Sequence, residues 1–267
     1  MNITRKIQLH QVEIMKQLIS LFEREELTYF AIGGTALGAV RHSGFIPWDD
    51  DIDIGMPRED YEKFLTMQDK LPKNLFIQNY NTEQEYSLYI SKVRDNNTLF
   101  VESRMSNFKI NHGIFIDIFP WDEVTTDLTS QKSTIDRVAL KFRRCLLTTE
   151  KRKSVSKLIK LIFYKLSYGL KSSNSQFKDI DNAHKLHNGK NTGILGNAPF
   201  KDAIHVDDLY PLQHLPFEDI TIPCPKNIES YLKNKYGSYM QLPKEEDRIC
   251  HNPIEVCFNL KDKDHNA

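Results

Sequence analysis

The sequence predicts an α+β fold with a central mixed sheet flanked by helices and interrupted by a helical insert. Three observations carry this expectation. Apolar residues recur at helical spacing over residues 5–26, and 129–187 reads as mostly helical. Between them lie short alternating or apolar runs bounded by turn residues, the mark of strands. The last third returns to a short α/β pattern. The expected organisation is a core over 1–125, a basic helical insert over 126–190, and a C-terminal part over 191–267 that completes the core.

Residues 5–26 form a helix because Ile7, Val12, Met15, Leu18, Ile19 and Phe22 share one face. A short strand over 28–32 ends at the Gly33-Gly34 pair, a backbone breaker. A short helix over 35–41 starts beside that turn. Residues 51–55 alternate acid and apolar, as a strand with one wet face does. Pro57 suits the first turn of the next helix, which has Tyr61, Phe64 and Leu65 on its apolar side. Strands are expected over 76–80, 86–94 and 99–102, and over 114–119, where Pro120 stops the run. Later come a strand near 192–195, Pro-rich turns over 210–225, and a helix over 226–236 closed by Gly237.

Composition narrows the function. The 267 residues hold 36 Lys+Arg against 36 Asp+Glu, so a protein that coats nucleic acid is not expected. Mean hydropathy is −0.50, and no apolar run approaches the roughly 20 residues of a membrane span. The charged N-terminus argues against a signal peptide. Cys145, Cys224, Cys250 and Cys257 lack metal-knuckle spacing, which favours reduced thiols and a cytoplasmic location over a zinc site with His251.

The most informative segment is GGTALGAVRHSGFIPWDDDIDIG, residues 33–55. Asp49, Asp50, Asp51 and Asp53 place four carboxylates in five positions, and their repulsion calls for positive charge nearby. On a strand Asp51 and Asp53 share a face, while Ile52 and Ile54 anchor the other side in a core. Such a pair grips a hard cation, Mg²⁺ or Mn²⁺. Asp117 is the lone acid of the apolar run GIFIDIFP (113–120), a costly place unless it is paired or metal-bound. It is the third candidate ligand, and it can also accept a proton from an attacking hydroxyl. Gly33, Gly34 and Thr35 supply a complementary part, because two glycines let the backbone approach a phosphate and a helix N-terminus offers free amide donors.

These motifs resemble the signature of the LicD family, which includes the fukutin-type transferases. SKVRDNNTLFVE (91–102), HGIFIDIFP (112–120) and YLKNKYGSYMQLP (231–243), with Arg248 and His251, extend the resemblance over roughly 5–125 and 190–255. The family is similar to the nucleotidyltransferase superfamily that includes DNA polymerase beta. The resemblance implies a nucleotidyltransferase-like mixed sheet, a GG-[ST] turn at Gly33, Gly34 and Thr35, an Asp-x-Asp pair at Asp51 and Asp53, and a third carboxylate at Asp117. The gap from Thr35 to Asp51 is longer than usual there, so the division of metal binding among Asp49, Asp51 and Asp53 stays open. The implied reaction transfers phosphocholine from CDP-choline to a sugar hydroxyl of a cell-surface glycan, such as a teichoic acid or lipooligosaccharide precursor, releasing CMP. Relatives transfer glycerol or ribitol phosphate from CDP-linked donors, and nucleotidyl transfer to a sugar phosphate is a further alternative. A dead binding module would have lost a metal carboxylate, and all three are present.

Lys92 and Arg94 share one face of an expected strand and can neutralise a donor diphosphate, with Arg41 and His42 in support. Arg248 and His251 can close the site from the C-terminal side. Trp48, Tyr86, Tyr89, Phe119 and Trp121 are the aromatics near the motifs that could hold a choline headgroup. Residues 141–171 carry ten Lys or Arg and one acid beside an apolar stripe. They read either as a helix resting on the anionic inner face of a membrane, near a lipid-linked acceptor, or as a core helix with a solvated basic face.

Overall fold

The computed structural model describes residues 2–146, 172–248 and 250–260. Helix α1 (Ile3–Arg24) is capped by the Asn2 side chain, which accepts the Arg5 N–H. Its buried face includes Ile7, Val12, Met15, Leu18 and Phe22, as the periodicity requires, and also Gln8 and Gln11.

Strand β1 (Phe30–Ala31) leads into α2 (Gly33–His42), and β2 (Asp53–Pro57) into α3 (Arg58–Leu65). Strands β3 (Leu75–Gln78), β4 (Ser91–Asp95), β5 (Leu99–Val101) and β6 (Phe115–Glu123) follow. Helices α4 (Leu128–Leu146) and α5 (Ser173–His184) pack on each other. Then come β7 (Ile194–Asn197), β8 (Asp202–His205), α6 (Val206–Leu209), β9 (Gln213–Phe217), β10 (Ile220–Cys224), α7 (Ile228–Tyr236) and β11 (Glu255–Cys257).

Seven strands among the described residues form one mixed sheet. Its order is β1-β2-β6-β4-β3, and β7 and β8 extend from the far end of β6. β2 and β6 run parallel; the other pairs are antiparallel. The sheet therefore draws strands from both sides of the α4–α5 region. Its core holds Phe30, Ile54, Met56, Ile116, Ile118 and Trp121, with Leu18 and Phe22 from α1 and Phe64 from α3.

Several elements differ from expectation for identifiable reasons. β6 runs through Pro120 to Glu123. Pairing with β4 ends at Ile118 and pairing with β7 begins at Asp122, so the missing Pro120 N–H falls in the gap between two neighbours. The Pro-rich stretch over 210–225 contains the β9–β10 hairpin, because a two-stranded ribbon has free edges where Pro216 and Pro223 break no ladder. The helix after β1 begins at Gly33 itself, so the two glycines form its first turn. No described helix is long and apolar enough to cross a membrane. Most of the basic stretch 141–171 lies outside the described residues.

Candidate active site

The strand register builds the site. Asp53 on β2 pairs with Asp117 on β6, and Asp117 pairs with Lys92 on β4. One row across three strands thus carries acid, acid and ammonium on one face. Asp51 stands in the loop just before β2 and completes a group with Asp53 and Asp117 in which one carboxylate oxygen of each lies within 4.8 Å of the others. The loop is held from below by α1. Gln8 Nε2 donates to the carbonyls of Asp49 (2.8 Å) and Ile46 (3.3 Å), and Gln11 Nε2 to those of Asp50 (2.8 Å) and Phe115 (3.1 Å). Nothing in the sequence marks these glutamines except polar residues inside an otherwise apolar helix face.

Burial and mutual repulsion make three clustered carboxylates costly. Burial first, then the charges of Asp51 and Asp117, raise Asp53 well above the usual carboxylate range. Burial also raises Asp51, with Asp117 adding to it and His251 opposing it. Lys92, almost fully buried, lies 2.9 Å from Asp117 Oδ1 and donates to Oδ2 at 3.1 Å. Its approach to Oδ1 is off the hydrogen-bond direction, so that buried oxygen accepts no hydrogen bond. Three clustered hard oxygen donors, one of them unsatisfied, fit a divalent cation of the Mg²⁺ type. Such an ion would favour the charged state of Asp51 and Asp53. Among the described residues no comparable group includes cysteine. Cys224 is buried, Cys250 Sγ donates to Asn252 and Cys257 Sγ to the Asn259 carbonyl.

The other aspartates of the cluster take different positions. Asp49 turns its carboxylate toward Gly34, where a Cβ would stand only 2.5 Å from Oδ2. Burial, then Asp51, pushes it up to about 8. Asp50 is a clamp for the C-terminal segment, accepting the His251 backbone N–H at 3.0 Å and contacting its Nδ1 at 3.0 Å. Burial opposes protonation of His251, but the bond to Asp50 and the charge of Asp51 push it up to about 9. Arg248 lies with its guanidinium 4.4 Å from the centroid of Trp48. The two residues expected to close the site thus both reach the acidic loop.

At the glycine turn, Thr35 Oγ1 accepts the Asp53 N–H at 2.8 Å, tying α2 to the start of β2. Ala36 is the first α2 residue whose N–H reaches back to the preceding chain, at Ile32 O. The Gly33 N–H donates to the Tyr231 hydroxyl at 2.9 Å, and that hydroxyl donates to Asp202 at 3.0 Å.

Of the cations expected at a diphosphate, only Lys92 reaches the carboxylates. Arg94 is fully buried behind it, with its donors spent on Gln78, the Gly113 carbonyl and Glu102. Arg41 sits at the other end of α2, about 12 Å along the axis from Gly33, and holds the Tyr239 carbonyl. Glu102 is the acid the sequence did not single out. It lies 3.3 Å from Arg94, 3.8 Å from Lys92 and 4.0 Å from His251. Burial opposes its charge, but these cations hold it below its usual range. Among the aromatics, Tyr86 and Trp121 are fully buried, Phe119 nearly so, and Tyr89 stacks on His184.

Residues 26–149 match the family model described as LicD/FKTN/FKRP, nucleotidyltransferase domain. The lipopolysaccharide cholinephosphotransferase LicD of Haemophilus influenzae is 26% identical over 94% of this chain and 97% of its own length. An uncharacterized protein of Rickettsia typhi is 45% identical over 22% of this chain and 19% of its own. The human ribitol 5-phosphate transferase FKRP is 40% identical over 18% of this chain and 10% of its own. Residues 26–149, which hold the glycine turn and all three carboxylates, are thus similar to the nucleotidyltransferase domain of the LicD family.

Proposed function

We propose that the protein transfers phosphocholine from CDP-choline to a sugar hydroxyl of a cell-surface glycan. The observation that carries this reading is the grouping of Asp51, Asp53 and Asp117 on a chain similar, almost end to end, to a lipopolysaccharide cholinephosphotransferase. The acceptor oxygen bonds to the phosphorus that bears choline. That phosphorus loses its bond to the bridging oxygen, and CMP departs with the electron pair. Asp117, grouped with Asp51 and Asp53, accepts the hydroxyl proton. Asp51, Asp53 and Asp117 would hold Mg²⁺, which when bound neutralises charge on the diphosphate and on the departing phosphate. Lys92 keeps Asp117 oriented, and the first turn of α2 offers amide donors to phosphate oxygens.

A second reading keeps the chemistry and changes the headgroup to ribitol phosphate. The local similarity to FKRP favours it. One assay separates the two. Purified protein and Mg²⁺ are mixed with CDP-choline, CDP-ribitol or CDP-glycerol and extracted lipid-linked glycans, and CMP release is measured. Release with CDP-choline alone supports the first reading; release with CDP-ribitol alone replaces it with the second. Absence of release with every donor and a defined acceptor sinks both.

A further inference from the structure

Gly33 leaves a niche in front of the carboxylates. Its φ of +54° lies in the left-handed region that favours glycine. A Cβ built there would stand 3.4 Å from Asp53 Oδ2 and 3.8 Å from the Tyr236 hydroxyl, with no third neighbour within 4 Å. Both are ordinary contact distances, so an atom of that size fits between Asp53 and Tyr236 without displacing either.

Two tyrosines of α7 bracket this turn. Tyr231 spends its hydroxyl on the Gly33 N–H and on Asp202. Tyr236, the last residue of the helix, is 41% exposed overall, yet its hydroxyl faces inward to the niche. That hydroxyl makes no hydrogen bond among the described residues. Burial, then the negative charges of Asp202, Asp53, Asp49 and Asp51, raise its pKa, so it stays protonated and can act only as a neutral donor or acceptor. A neutral donor without a partner, set beside a carboxylate row and a helix N-terminus, suits an anionic oxygen arriving with the substrate.

We propose that the Tyr236 hydroxyl donates a hydrogen bond to a non-bridging oxygen of the donor diphosphate, seated in the niche above Gly33. This rests on the phosphotransferase reading above. Tyr236 is then a substrate-contacting residue supplied by the C-terminal helix, some 180 positions from the acids it faces. The free protein gains nothing from this hydroxyl, so its removal is expected to spare the fold and weaken the reaction.

The test is Tyr236→Phe, which removes one oxygen and keeps the ring. Donor affinity is measured by calorimetry with CDP-choline and CDP-ribitol in Mg²⁺ without acceptor, turnover by CMP release, and stability by thermal melting. The expected result is an unchanged melting temperature with donor affinity or turnover reduced roughly ten- to hundredfold, the worth of a hydrogen bond to a charged group. Affinity and turnover within twofold of wild type would overturn the contact and leave the phosphotransferase reading standing. A melting temperature lowered by several degrees would also overturn it, since the hydroxyl would then serve the fold. Wild-type protein that binds neither donor would overturn the reading itself, and the contact with it.

Discussion

Asp53 and Asp117 face each other in the parallel pairing of β2 and β6, one strand apart on the same face of the sheet. Neighbouring strands lie about 4.8 Å apart, so register alone brings the two carboxylates within reach of one ion. Burial and the neighbouring carboxylates hold Asp53 well above its normal pKa, so its charge works against folding at neutral pH. Asp53→Asn is therefore expected to melt no lower than wild type in EDTA. With saturating Mg²⁺ the order should reverse, since only an intact site gains binding energy, about 2.7 kcal/mol at a hundredfold excess over Kd. CMP release should fall more than about a hundredfold in the variant and be abolished in wild type by EDTA. Equal Mg²⁺ shifts in both proteins would refute the metal assignment.

Asp117→Asn should behave differently, although it occupies the same row. It strands the buried ammonium of Lys92, whose next acid, Glu102, is 3.8 Å away. Breaking a buried pair costs roughly 3–5 kcal/mol, so the denaturation midpoint should drop sharply. Adding Lys92→Met should recover much of that loss without restoring turnover. A double-mutant cycle on urea midpoints measures the coupling, and additive losses would show that the pair is not coupled.

The contrast shows what the sequence made legible and what it did not. Alternation of Asp51 and Asp53 with Ile52 and Ile54 announced a rigid acidic face, and Asp117 stood out as a lone acid in an apolar run. These signals are local, and the sheet brings the three together. Arg94 shares parity with Lys92, but parity says nothing of depth, and the register carries Arg94 opposite Phe115 and behind the site. Tyr231, Tyr236 and Glu102 were illegible as site residues because their roles depend on where separate elements dock. The β9–β10 hairpin was hidden for the opposite reason: Pro216 and Pro223 signal turns strongly, and only the free edges of a two-stranded ribbon excuse them.

The bond from Gly33 to Tyr231 makes the glycine turn depend on α7. Tyr231→Phe leaves a buried N–H without an acceptor and takes one of two partners from Asp202, which keeps Lys235. A loss of about 1–3 kcal/mol is expected. Because the turn itself loosens, kcat should fall along with stability, unlike the outcome for Tyr236→Phe. Full turnover at a temperature where the variant stays folded would show that the turn needs no tether.

His184 gives the fold its own acid sensitivity, remote from the carboxylates. Its ring stacks on Tyr89 at 3.8 Å, and burial depresses it to about 3, outweighing the opposite pull of Asp122. In the unfolded chain it titrates near 6.5. Between those values the unfolded state holds a proton that the folded state refuses, so stability present above pH 6.5 is lost as pH falls. From pH 7 to 5 this amounts to about 2 kcal/mol, or roughly 4–8 °C in melting temperature. His184→Phe keeps an aromatic ring against Tyr89 and removes the titration, so its melting temperature should vary less over that window. Parallel curves for the two proteins would mean that His184 protonates freely in the folded state, and that the pocket beneath Tyr89 admits water.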